Sequence, residues 1–145
     1  MSKPDQVQLA QAFIAALPFA KALGMKLEAL EPAQATLSMP YDPKLIGDPD
    51  SGVIHGGAVS ALMDTCGGVA VICHPDQPIA TATIDLRIDY MRAATPGQAI
   101  RATAHCYHVT REVAFVRATA VDDDSENLVA TATGAFTFQR ATVKS

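Results

Sequence analysis

Val7, Leu9, Ala10, Phe13, Ile14 and Leu17 recur at helical spacing. That predicts an N-terminal helix over 5–17, opened near Pro4 or Asp5 and stopped by Pro18. The period then changes to two. Met25, Leu27 and Ala29 alternate with Lys26 and Glu28, and Ala33, Ala35, Leu37 and Met39 share one face. Residues 25–30 and 33–39 should therefore pair as a hairpin turning near Glu31 and Pro32. Residues 40–53 mix Pro40, Pro43, Gly47, Pro49 and Gly52 with acids and read as one long loop, the kind of segment that tends to carry function. From about Gly57 to Ile72 the chain is almost wholly apolar or small, a helix closed by His74, Pro75 and Pro78. The remainder is strand-like: 80–91, 98–110, 113–122 and 128–139, with an acidic turn at 122–127 that reads as a solvated tip.

This order, one helix, two strands, a long helix and four strands, indicates an α+β domain. The central helix is apolar nearly all round and should be enclosed, which a curved antiparallel sheet wrapped around it achieves. One domain over 1–145 is expected, with an N-terminal helix at 1–19 and a frayed tail at 140–145. Hydrophobic residues make up 49% and charged residues 18%, with net charge −4. No basic run exists, which argues against a nucleic-acid partner. Cys66, Cys73 and Cys106 are odd in number and lack CxxC spacing, so neither a disulfide framework nor a structural zinc is expected. A reducing cytoplasm suits them. The N-terminus reads as neither signal peptide nor membrane span.

Asp64 interrupts the apolar helix, and burying an unpartnered carboxylate is costly. Just before the helix, Gly52, Gly56 and Gly57 leave backbone N–H groups free to face a ligand. An anion-stabilising turn and a lone acid on one helix point to chemistry on a carbonyl. Other residues have plainer readings. Gly67 and Gly68 suit close packing of the helix against the sheet or a sister helix, and the cysteines suit small buried hydrophobes. Thr65 is either a neighbour of the site or bonded to a preceding carbonyl. His105 and His108, three apart on a strand, should face opposite sides, which defeats a shared metal site.

The run Gly52-Val53-Ile54-His55-Gly56-Gly57, with Asp64 nine residues beyond the histidine, resembles the hotdog-fold acyl-CoA thioesterases, most closely the phenylacetic-acid-degradation type. The later run from Thr83 to Ala94 resembles the family strand ending Tyr-x-Arg-Pro-Ala, with Ala93 in place of the proline. The likeness spans roughly 20–140. It implies hydrolysis of an acyl-CoA to free acid and CoA, with no cofactor beyond the CoA of the substrate. Gly56 would offer its N–H to the thioester carbonyl, and Asp64 would be general base or nucleophile. Thr83 would place the attacking water, and His55 would orient the turn or touch the carbonyl. Gly57, Asp48, Asp50 and Thr65 are expected around the substrate, with Arg92 and Arg111 as candidates for CoA phosphates. Relatives carry Asn or Gln six residues before the histidine. Here Pro49 stands there, so Asp48 or Asp50 takes that role or the contact is missing.

Helix geometry adds a constraint. Eight residues separate Gly56 from Asp64, ~12 Å along a helix, whereas a base must come within about 3 Å of its proton, directly or through one water. One carbonyl is then served by His55 and Gly56 of one subunit and by Asp64 and Thr83 of another, across antiparallel helices. A homodimer is expected, extending to a tetramer as a dimer of dimers. Two other functions fit the same outline: a hotdog hydratase or dehydratase using a His–acid pair, and a non-catalytic acyl-CoA-binding module.

Overall fold

The computed structural model describes residues 2–143. Helix α1 runs Lys3–Ala15, capped by Ser2 in a reciprocal box with Asp5. Pro18, expected only as a stop, opens a second short helix, α2, Pro18–Ala22, because a proline in the first turn removes an N–H that has no helical partner anyway. Strands β1 (Lys26–Glu31) and β2 (Gln34–Met39) form the expected hairpin. The segment 40–53 is not one loop. It folds into a 3-10 turn at Pro43–Leu45 and a small ribbon of β3 (Ile46–Asp48) with β4 (Val53–Ile54). Gly47 permits that ribbon, since a Cβ there would lie 2.7 Å from the Cα of His55. Helix α3 spans Gly56–Ile72, followed by β5 (Thr83–Tyr90), β6 (Ile100–Val109), β7 (Val113–Val121) and β8 (Ala130–Thr137).

Six strands form one curved antiparallel sheet in the order β1-β2-β6-β7-β8-β5, with α3 packed on its inner face in the hotdog arrangement. Leu62, Met63, Cys66 and Val69 of α3 are fully buried against inward-facing Leu37, Ala102 and Ala104. Alanines at these sheet positions let helix and sheet approach closely. The three thiols are all buried and free; Cys66 donates to the carbonyls of Ala35 and Ala102 at 3.3 Å each. Burial pushes the Cys66 thiol up to about 12 and that of Cys106 up to about 11, and raises that of Cys73.

The helix is not enclosed on all sides, as its sequence suggests. The sheet covers one face, and a stripe through Gly57, Ala61, Asp64, Thr65 and Ile72 stays partly or wholly exposed. Strand β5, at the sheet edge, is also largely uncovered, with Ile84 57% and Tyr90 49% exposed. Two further expectations change. A bulge between Cys106 and His108 pairs His105 with Arg117 and His108 with Phe115, so one extra residue brings both histidines to the outer face. Arg140, expected in a frayed tail, is tied down. It donates to the carbonyls of Thr110 and Arg111, each at 3.2 Å, and pairs with Asp76 at 3.1 Å. Residues 144 and 145 of that tail lie outside the described residues.

Candidate active site

Asp64 and Thr83 come together within one chain: the Thr83 hydroxyl donates to Asp64 Oδ1 at 2.6 Å. Simple alternation would prevent this. Leu86, Ile88 and Tyr90 face inward, opposite Gly134, Ala132 and Ala130, so an unbroken strand would turn Thr83 outward beside Asp85, Arg87 and Asp89. A bulge between Thr83 and Asp85 pairs Thr83 with inward-facing Phe136 instead and aims its hydroxyl at the helix. Gly134 makes room for the bulge, because a Cβ there would lie 2.6 Å from the Asp85 carbonyl oxygen. Oδ2 of Asp64 accepts no hydrogen bond from any described residue. The pair borders a cavity of about 130 Å³ that Phe13, Leu17, Thr65 and Gly68 also line. Thr65 is thus a neighbour of the site. The back-bond to a helix carbonyl belongs to Ser60, whose hydroxyl donates to Gly56 O at 3.1 Å.

At the other end of α3, His55 is the cap residue. Its Nδ1 accepts from the Gly57 N–H at 2.8 Å, which leaves Nε2 as the nitrogen able to donate. Gly57 was expected beside the substrate. Its amide is engaged by His55, and its lack of a side chain matters more, since a Cβ would sit 2.8 Å from His55 Nδ1. The Gly56 N–H, the first of the helix, has no acceptor among the described residues. It therefore offers a free donor at the positive end of the helix dipole. Two residues not singled out from sequence fix this turn. Tyr90 donates to the Gly56 carbonyl at 2.7 Å, and its hydroxyl also meets that of Ser60. The signal for Tyr90 was its place at the inward end of the alternating β5 run.

The remaining expected residues do not line the Asp64 cavity. Asp48 accepts from the Asp50 N–H at 3.1 Å and from the Ser51 hydroxyl, bonds that lower its carboxyl below the usual range. It builds the turn whose Gly52 has φ +79°. Asp50 is exposed on that turn. Arg92 is occupied elsewhere. It grips the fully buried Asp122 carboxylate through two bonds, at 2.7 and 2.6 Å, and donates to the carbonyls of Ala93 and Asn127. The guanidinium holds the Asp122 carboxyl well below the ordinary carboxylate range, helped by the Thr95 N–H at 2.9 Å. Asp122 therefore anchors the acidic turn from inside, and only the residues after it form the solvated tip. Arg111 is exposed. Among the described residues no group of three or more His, Cys, Asp or Glu is placed to hold a metal ion, and no helix is long and apolar enough to cross a membrane.

Comparison with known proteins follows the same outline. A family model described as thioesterase superfamily matches residues 51–129, the stretch from the glycine turn to the start of β8. The crystal structure of a Pseudomonas aeruginosa protein superposes with TM-score 0.82 at 40% identity, covering 91% of this chain and 98% of that one. A mutant of the phenylacetic acid degradation protein PaaI from Thermus thermophilus is similar at 28% identity and TM-score 0.74, over 86% of this chain and 100% of that one. The Salmonella typhimurium protein named medium/long-chain acyl-CoA thioesterase YigI is 28% identical over 137 residues, 86% of this chain and 87% of the relative.

Proposed function

The chain belongs to the thioesterase superfamily, and on that premise we propose that it hydrolyses an acyl-CoA to free acid and CoA at a site shared between two subunits. The name of the Salmonella relative supports the acyl-CoA substrate. The Thr83–Asp64 hydrogen bond beside an open cavity carries the reading. It fixes one carboxylate oxygen and leaves the other free for a water or an acyl carbon. As general base, Asp64 takes a proton from water while Thr83 orients it. As nucleophile, Asp64 attacks the acyl carbon and expels the CoA thiolate, forming a mixed anhydride that water then opens to free acid and Asp64. Either route puts negative charge on the thioester oxygen. The free Gly56 N–H is the preorganised donor for that charge.

That donor lies ~12 Å from Asp64 along the same helix, too far for the two to act on one carbonyl. The uncovered stripe of α3 and the unpaired edge of β5, with its inward Leu86, Ile88 and Tyr90, support the remedy. A long apolar edge is an association surface. A second copy set antiparallel against both surfaces brings its Gly56 to this chain's Asp64.

Thiol release from a panel of acyl-CoAs tests the activity. Asp64→Asn should lower kcat by about 10³-fold while leaving acyl-CoA binding intact. Unchanged turnover in that variant removes Asp64 from the mechanism. Loss or gain of enoyl absorbance without thiol release would point to a hydratase.

A further inference from the structure

The two adjacent glycines of α3 differ. A Cβ at Gly67 would lie 2.7 Å from the Phe136 ring, so that glycine serves close packing. A Cβ at Gly68 would meet nothing nearer than the Thr81 side chain at 4.0 Å. Gly68 keeps space open, and the space is the small cavity beside Asp64. At about 30 Å³ for a water-sized group, that cavity of about 130 Å³ takes roughly four methylenes.

Beyond it lies a larger groove of about 510 Å³, between α1 and the end of α3. Phe13 and Thr81 border both spaces, so the groove adjoins the Asp64 cavity. Leu9, Ala10, Ile72, Pro78 and Ile79 supply half of its remaining wall, Gln6, His74 and Gln77 add polar groups, and no Asp, Glu, Lys or Arg lines it. Leu9 is 46% and Ile79 59% exposed, apolar surface that a soluble fold gains nothing by showing to water.

We propose that this groove is the binding site for the distal part of a long acyl chain, entered from Asp64 past Gly68 and roofed by α1. The inference rests on the thioesterase reading and specifies its substrate as an acyl group longer than the first cavity holds. CoA itself does not suit the groove, which offers its phosphates no Lys or Arg. An apolar tail suits the wall formed by Leu9, Ile72 and Ile79.

The test is kcat/KM across saturated acyl-CoAs from butyryl to myristoyl, in wild type and in the double variant Leu9→Asp with Ile79→Asp. Both positions are exposed and remote from Asp64, so the fold tolerates the charges. Wild type should gain about fourfold per methylene buried until the groove is filled. The double variant should lose at least tenfold on dodecanoyl-CoA and nothing on butyryl-CoA. A flat wild-type profile, or an equal loss at every chain length, overturns the proposal. So does a flat profile in which the double variant weakens self-association, because the groove is then an interface between copies. Binding of a dodecyl-CoA thioether, which cannot be hydrolysed, is measured by calorimetry on the same proteins. If no acyl-CoA releases thiol, the thioesterase reading fails alone. The thioether then still decides the groove: weaker binding to the double variant supports it, and equal binding overturns it.

Discussion

Gly56 sits where a donor can be deleted without disturbing the backbone. It is the first residue of α3, a position that favours proline, and His55 before it has φ −57° and ψ 132°, the extended conformation that proline imposes on its predecessor. Gly56→Pro therefore removes one N–H and keeps the helix. The nearest neighbour of the new Cβ is the Tyr90 ring at 3.4 Å, a contact that small side-chain movement relieves. We expect kcat to fall by about 10²- to 10³-fold with no loss of melting temperature, read from thiol release and a thermal scan on one preparation. Retained turnover would acquit the Gly56 amide. At this scale the sequence was informative about residue identity: a carboxylate in an apolar helix and glycines before it were visible as exceptions to their surroundings. It was silent on occupation. Nothing in the spelling of Gly57 or Arg92 says that their donors are already engaged by His55 and Asp122.

Strand β5 shows why an element can be read correctly and still aim a residue wrongly. Alternation in 80–91 identifies a strand, yet it places Thr83 with the outward acids. One inserted residue reverses that, and a bulge leaves no period of its own in the sequence. The same limit applies to His105 and His108. The trace of the Thr83 bulge is on the partner strand, where Gly134 leaves room for the Asp85 carbonyl. Gly134→Ala should press on the Asp85 carbonyl, cost about 1–3 kcal/mol in stability, and turn the Thr83 hydroxyl away from Asp64. Denaturant unfolding and kcat should both record the change. Full activity with lowered stability would mean that the bulge is structural and Thr83 dispensable. The short helix α2 and the β3–β4 ribbon went unread for a different reason: each is too brief to establish a period.

At the scale of the whole molecule, the sheet-and-helix outline was legible because it depends on long periodic segments. The partly uncovered face of α3 was not legible, because an all-apolar helix reads the same whether a sheet or a second subunit covers it. The proposed sharing of the site makes a quantitative demand. Asp64→Asn and Gly56→Pro damage opposite halves, so subunits of the two variants mixed under conditions that allow exchange should recover about a quarter of wild-type turnover, through the one intact site in each mixed dimer. No recovery, with exchange shown by an independent label, would place both halves in one subunit. The three cysteines bear on the product. Each turnover liberates a free thiol, and a protein that repeatedly holds CoA in a pocket exposes any nearby thiolate to mixed-disulfide formation. Here all three thiols are buried, and burial suppresses the acidity of each. Thiol–disulfide exchange proceeds through the thiolate, so turnover should survive incubation with oxidised CoA, measured as thiol release before and after; inactivation that a reductant reverses would show that one of the three is reached.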